Sequence, residues 1–149
     1  MKNLMNTTKV HACVCANVRQ TDLVVTQFYD GILAPSGLYA IQYGIISVLA
    51  KLAPTTVNHL AESMDLDRVT LTRHLKILAD QGLVRYEDGE DRYISQLLLT
   101  QEGEQVLSRA LPLWQEAQER IVRALGQERY EALLAELLTV RTVLSSGVS

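Results

Sequence analysis

The stretch from residue 67 to 99 constrains the fold most, because its apolar period changes once and abruptly. Leu71, Leu75 and Leu78 recur at helical steps behind Asp67, a side chain suited to accepting the first free amides of a helix. Gly82 can close that helix in the left-handed region. Beyond it, 83–86 and 93–99 read as two short strands, joined by the polar loop Glu87-Asp88-Gly89-Glu90-Asp91. A helix of this kind leading directly into a hairpin leaves few architectures open.

The flanking pattern narrows them further. Residues 10–33 carry Val14, Val18, Val25, Phe28, Tyr29 and Ile32 at three- and four-residue steps and predict a first helix. Pro35, Ser36 and Gly37 break it. A second helix is expected over 38–52 with Ile41, Ile45, Val48 and Leu49 inward, and a short third over 56–64, capped by Thr55 or Thr56. Asp65 suits the tight turn after it, since Asp enters the left-handed region readily. Thr100 caps a long helix to about residue 125, which Pro112 interrupts. An amphipathic helix over 127–144 presents Tyr130, Leu133, Leu134, Leu137, Leu138 and Val140. The expected fold is therefore mainly α with a small β-hairpin wing: a winged helix-turn-helix flanked by N- and C-terminal dimerisation helices. One domain, 1–149, is expected, with the winged lobe at 38–100 and helical dimerisation regions at 10–35 and 101–145.

Composition sets outer limits. With 149 residues, 48% of them hydrophobic, one core can form. No run of apolar residues is long enough to span a bilayer, and the N-terminus lacks the apolar stretch of a signal peptide, so no membrane association and a cytoplasmic location are expected. Two cysteines do not make a disulfide framework. No Gly-rich phosphate loop, metal-ligand run or nucleophile motif appears, so neither an enzyme nor a cofactor is expected. The net charge of −3 means that any nucleic-acid affinity must come from cations concentrated on one face.

The helix after Asp67 offers such a face. Opposite its leucines stand Val69, Thr72, Arg73 and Lys76, with Arg68 and Thr70 at the edges. Arg and Lys can reach phosphates or guanine edges, Thr can bond either, and Val69 can touch a thymine methyl. A solvated helix face is the plainer alternative. Thr55 and Thr56, with the free amides beside them, can take a phosphate or serve only as caps. In the wing, Arg92 is the candidate for the minor groove, with Arg85 at its base and Asp91 orienting an arginine. Four neighbouring carboxylates oppose that contact.

Several stretches together resemble the MarR family of multiple-antibiotic-resistance-type regulators. They are Leu38-x-x-x-Gln42-Tyr43, Leu60-Ala61-Glu62, Asp67-Arg68-Val69-Thr70-Leu71-Thr72-Arg73, Leu78-x-x-x-Gly82-Leu83-Val84, Asp91-Arg92 and Leu99-Thr100-x-x-Gly103. The resemblance implies a homodimer with intertwined first and last helices. It also implies a pseudo-palindromic double-stranded DNA operator and a pocket for a small-molecule or oxidant effector between the dimer helices and the DNA-binding lobe; the regulator is expected to act as a repressor. Two positions depart from the pattern. Val69 stands where the family has a small hydroxyl residue, and Tyr93 stands where its wing has Arg, so Arg92 is displaced by one and points to the other face of a strand.

Cys13 and Cys15, with His11 nearby, lie at the start of the first helix, where thiolates are favoured. They are candidates for sensing oxidants or thiophilic metals and metalloids such as arsenite. The alternative is two small buried hydrophobes. His59 and His74 are expected to face solvent or phosphate. Trp114, Tyr39 and Tyr43 can line an aromatic ligand cavity or belong to the core. The remaining rival is a winged helix that binds only protein, which the acidic wing favours.

Overall fold

The structure, a computed structural model, describes residues 12–90 and 94–147. Helix α1 (Val14–Leu33) begins later than expected. Ala12 and Cys13 are not helical, and residues 10 and 11 lie outside the described part. A 3₁₀ turn, Ala34–Ser36, holds Pro35 and ends on Gly37 at φ 79°.

Helix α2 (Ala40–Leu52) starts two residues after its expected position, because Leu38 is not helical and Tyr39 is extended. The reason is a pair of long-range and local caps. The Ala40 amide donates to Asp30 Oδ1 of α1 at 2.7 Å, and the Tyr39 amide donates to Gln42 Oε1 at 3.1 Å. Leu38 fills the core instead of opening the helix.

Helix α3 (Val57–Met64) is capped by Thr56, whose hydroxyl accepts the His59 amide at 3.2 Å. It ends on Asp65 at φ 51°, the left-handed turn residue expected there. Helix α4 (Arg68–Asp80) is capped by Asp67 and followed by Gly82 at φ 75°.

The wing is an antiparallel pair, β1 (Val84–Asp88) and β2 (Ser95–Leu99), in the register Val84↔Leu99 to Asp88↔Ser95. Both strands depart from expectation. Glu87 and Asp88 were expected in the loop but extend β1, opposite Gln96 and Ser95. Ile94 precedes β2, and Tyr93 lies outside the described residues. The ladder also gains a rung from outside the hairpin: Thr55 and Leu97 exchange both backbone hydrogen bonds, at 3.3 and 2.6 Å.

Helix α5 (Gln101–Leu125) runs unbroken through Pro112, where an interruption was expected. The proline removes one bond from the helix ladder without stopping it. Gly126, at φ 84°, separates α5 from α6 (Gln127–Ser145). Among the described residues no single helix is long and apolar enough to cross a membrane.

The core lies where α2, α3, α4 and the wing meet the first half of α5. Leu33, Ile45, Ile46, Leu49, Leu60, Leu71, Leu75, Leu78 and Leu97 are fully buried there. Burying side chains of this size contributes about 1.5–3 kcal/mol each.

One junction joins three elements. The Thr100 hydroxyl donates to the Gly82 carbonyl at 2.5 Å and accepts the Gly103 amide at 3.0 Å. The Thr100 amide donates to the Leu83 carbonyl at 3.1 Å. Gly103 is buried against that carbonyl, and a Cβ there would lie 2.1 Å from its oxygen. Since the obstacle is backbone, neither side can yield cheaply. Gly103→Ala is expected to lower stability by about 1–3 kcal/mol. Thermal unfolding should show a midpoint several degrees below the parent, and an unchanged midpoint would contradict the close packing.

Candidate nucleic-acid interface

The capping of α4 decides which of its residues face outward. The Asp67 carboxylate accepts the Thr70 amide at 2.8 Å through Oδ1 and the Thr70 hydroxyl at 2.6 Å through Oδ2. Thr70 is thus a cap partner, with its one hydroxyl proton already committed. Those two bonds, the hydroxyl first, hold the Asp67 carboxyl below its ordinary pKa of 3.8.

With the leucines inward, Arg68, Val69, Thr72, Arg73 and Lys76 come together around one shallow depression. Val69, 76% exposed, is the apolar member of this group. Lys76 lies 3.7 Å from Asp80, but both side chains are open to water, so the pair does little to hold the ammonium back.

A second depression, of about 440 Å³, adjoins the first. Thr56, Asn58, Arg68, Thr72, Tyr86 and Ser95 line it, so it lies between the start of α3, the start of α4 and the outer half of the wing. Arg68 and Thr72 belong to both depressions. Burial raises the Tyr86 pKa, so its hydroxyl keeps its proton. Asn58, Tyr86 and Ser95 were not among the sequence candidates. Asn58 had a local signal, since it follows a Thr cap in a first helical turn. Tyr86 and Ser95 had none, because only the hairpin register brings them to α3.

Other candidates are placed differently. Thr55 is 5% exposed, and its amide and carbonyl pair with Leu97, so it is a rung of the sheet rather than a surface group. Arg85 is bound to Glu87 at 3.2 Å along β1. Asp91 and Arg92 lie outside the described residues. His59 is exposed as expected, but His74 is half-buried with Nδ1 inside and unpartnered, so it faces the interior.

Away from this surface, a cavity of about 720 Å³ opens between α1, α2 and α5. Tyr29, Tyr43, Val48, Lys51, Leu107 and Trp114 are among its walls, and Tyr43 stacks on Trp114 with ring centroids 5.9 Å apart. Tyr39, the third aromatic candidate, is 62% exposed and is not part of the wall. Cys13 and Cys15 are free thiols, exposed in the single chain. An Arg19 Nη2 sits 3.7 Å from Cys15 Sγ. No group of three potential metal ligands occurs among the described residues.

Comparison with known proteins places this geometry. Residues 36–92 match the model of the MarR family. An HTH-type transcriptional regulator of Bacillus subtilis (strain 168), YwoH, is 28% identical over 87 residues, which cover 58% of this chain and 64% of the relative. A second from the same organism, YhbI, is 32% identical over 80 residues and 52% of its length. The chain thus spans less than two thirds of either curated relative. Among solved structures, the M. tuberculosis transcriptional regulator MosR in complex with DNA superposes with a TM-score of 0.81 at 28% identity, covering 90% of this chain and 97% of that one. CouR, a transcriptional repressor solved with p-coumaroyl-CoA, has the same fold, with a TM-score of 0.81 at 22% identity over 89% and 94% of the two chains.

The Asp67 cap gives a pH prediction. Because its folded pKa is depressed, its contribution is present above 3.8 and is lost as pH falls through the folded value. Asp67→Asn should therefore unfold at a lower temperature than the parent at neutral pH. The gap should close as the pH is taken below 3.8. Thermal melts across pH 7 to 2.5 would test this, and a gap of constant size would refute it.

Proposed function

We propose that the chain is a transcription regulator of the MarR type, whose family model residues 36–92 match, and that it binds operator DNA through α4. The observation that carries this reading is the exposed cluster Arg68, Val69, Thr72, Arg73 and Lys76. Cations, hydroxyls and one apolar group near a helix N-terminus are what a recognition helix presents to a major groove. The second depression suits a backbone phosphate, which Thr56, Asn58, Arg68 and Tyr86 would hold while α4 reads bases. The likeness to MosR, solved on DNA, supports this use of the fold.

The protein acts as a homodimer in this reading. In the single chain, α6 has no buried residue, and Leu133, Leu134, Leu137 and Leu138 stand open. Val14, Val18, Leu23, Val24 and Val25 of α1 are open as well. Apolar surface of that extent on two long helices calls for a partner. A two-fold pair would set two α4 helices about 34 Å apart, one turn of DNA. The role is that of a cytoplasmic repressor whose operator is pseudo-palindromic. The cavity beside Trp114 takes a small-molecule effector, as CouR takes p-coumaroyl-CoA. Cys13 and Cys15 add sensitivity to oxidants or thiophilic metals, helped by their exposure and by Arg19.

A protein-only role for the winged helix is favoured by the acidic end of β1, Glu87 and Asp88, and by the net charge of −3. Binding to duplex DNA at increasing salt separates the two. DNA binding through phosphates gives a steep negative slope of affinity against salt, and a protein-only module gives no binding to follow.

Two outcomes are expected. In band-shift titrations with a selected operator, Arg73→Ala should weaken binding by about tenfold or more, and a loss below about twofold would exclude this face. Exposure to peroxide, diamide or arsenite should weaken the parent but not a Cys13→Ser/Cys15→Ser variant. Equal responses of the two proteins would remove the thiol role.

A further inference from the structure

Two side chains of the α4 face are shared with the wing, and one is given to the helix cap. Val69, Thr72, Arg73 and Lys76 follow one another at three- and four-residue steps, so they form one stripe along the helix. Thr72, together with Arg68, also opens onto the second depression, which reaches Tyr86 and Ser95 of the wing. Those two are turned toward the proposed backbone phosphate. Val69, Arg73 and Lys76 line the first depression only.

The first turn of α4 is where a recognition helix meets base edges. Of its three residues, Arg68 adjoins the phosphate depression. Thr70 is half-buried, and its hydroxyl proton is held by Asp67 Oδ2 at 2.6 Å. What remains for the bases is Val69, whose side chain has neither a donor nor an acceptor. One turn further on, Arg73 makes no ion pair among the described residues, so its donors are open. The stripe therefore offers hydrogen bonds from its middle and end and only apolar contact from its start.

In the major groove the base pairs present donors and acceptors, and the thymine C5-methyl is the one alkyl group among them. An isopropyl group pressed on a base edge gains where it meets that methyl. It loses where it covers an amino or carbonyl group, which gives up water and receives no partner. We infer that Val69 makes α4 select thymine at the base pair facing its first turn, through the methyl group and not through a hydrogen bond. The inference rests on the reading of α4 as a recognition helix, and it adds the base that one residue selects and the force by which it does so. A two-fold dimer applies the contact twice, once in each half-site.

Uracil differs from thymine by this methyl alone and keeps its pairing with adenine, so it isolates the contact. Duplexes are first selected from a random pool with the full chain. Each thymine of the selected operator is then replaced by uracil, in both half-sites together, and affinity is read by fluorescence anisotropy. The parent should lose about tenfold at one position, since a buried methyl is worth about fourfold and is lost twice. Val69→Ala shortens an exposed side chain and favours the helix, so the fold is kept. This variant should bind the thymine and uracil duplexes within about twofold of each other, because the partner of the methyl is already gone. An operator with no thymine in its half-sites would overturn the inference. So would a parent that loses less than about twofold at every position, or a uracil penalty that persists in Val69→Ala. In each of these cases DNA is still bound, and the recognition helix stands without its thymine contact. Failure to select any duplex would instead remove the reading of α4 as a recognition helix, and this inference with it.

Discussion

The carbonyl groups of Gly82 and Leu83 fix the end of α4, the first strand of the wing and the start of α5 at one point. Thr100 binds both carbonyls, through its hydroxyl and its amide. Gly103 lets the first turn of α5 lie directly on the second of them. Three elements that meet through backbone groups have little freedom to slide, since no flexible side chain stands between them. The direction of α4 relative to α5 is set here. If α5 and α6 carry a dimer, this junction determines how far apart two copies of α4 stand.

The Thr55–Leu97 rung adds a second restraint to the same unit. It ties the residue before the α3 cap to the middle of β2. Thr56, Tyr86 and Ser95 consequently lie around one depression, although they come from different parts of the chain. The surface proposed to meet DNA is therefore a composite. Its α4 part is one helix face, and its phosphate-holding part exists only because the hairpin is pinned to α3. This composition also accounts for an interface on an acidic chain: a few placed groups on a rigid support can act where overall charge gives no help.

The two halves of the molecule differ in how they are held. Around Ile46, Leu71 and Leu97 the packing is closed within one chain. On α1 and α6 it is open, and polar contacts such as Tyr29 with Gln118 supply part of the restraint.

Much of this was legible in the residues themselves. The α4 cap, the left-handed Asp65 and Gly82, the break at Pro35 and the change from helical to alternating period depend on groups within a few positions of one another, and local rules describe them. Thr70 belonged to that legible set as well, because a hydroxyl three residues after an Asp cap sits within its reach. Treating it as a free surface group overlooked that pairing. Thr55 was not legible, since its burial depends on a strand about forty residues later. The same holds for Tyr29 and Gln118, 89 positions apart, and for the cavity that admits Tyr43 and Trp114 but not Tyr39. The sequence by itself determined the elements, their order and the outward face of α4, because periodicity and capping are short-range. Only the tertiary structure decided which threonine is a rung and which a cap, where Tyr86 points and which helices remain uncovered, because those outcomes come from contacts between segments whose meeting no local pattern encodes.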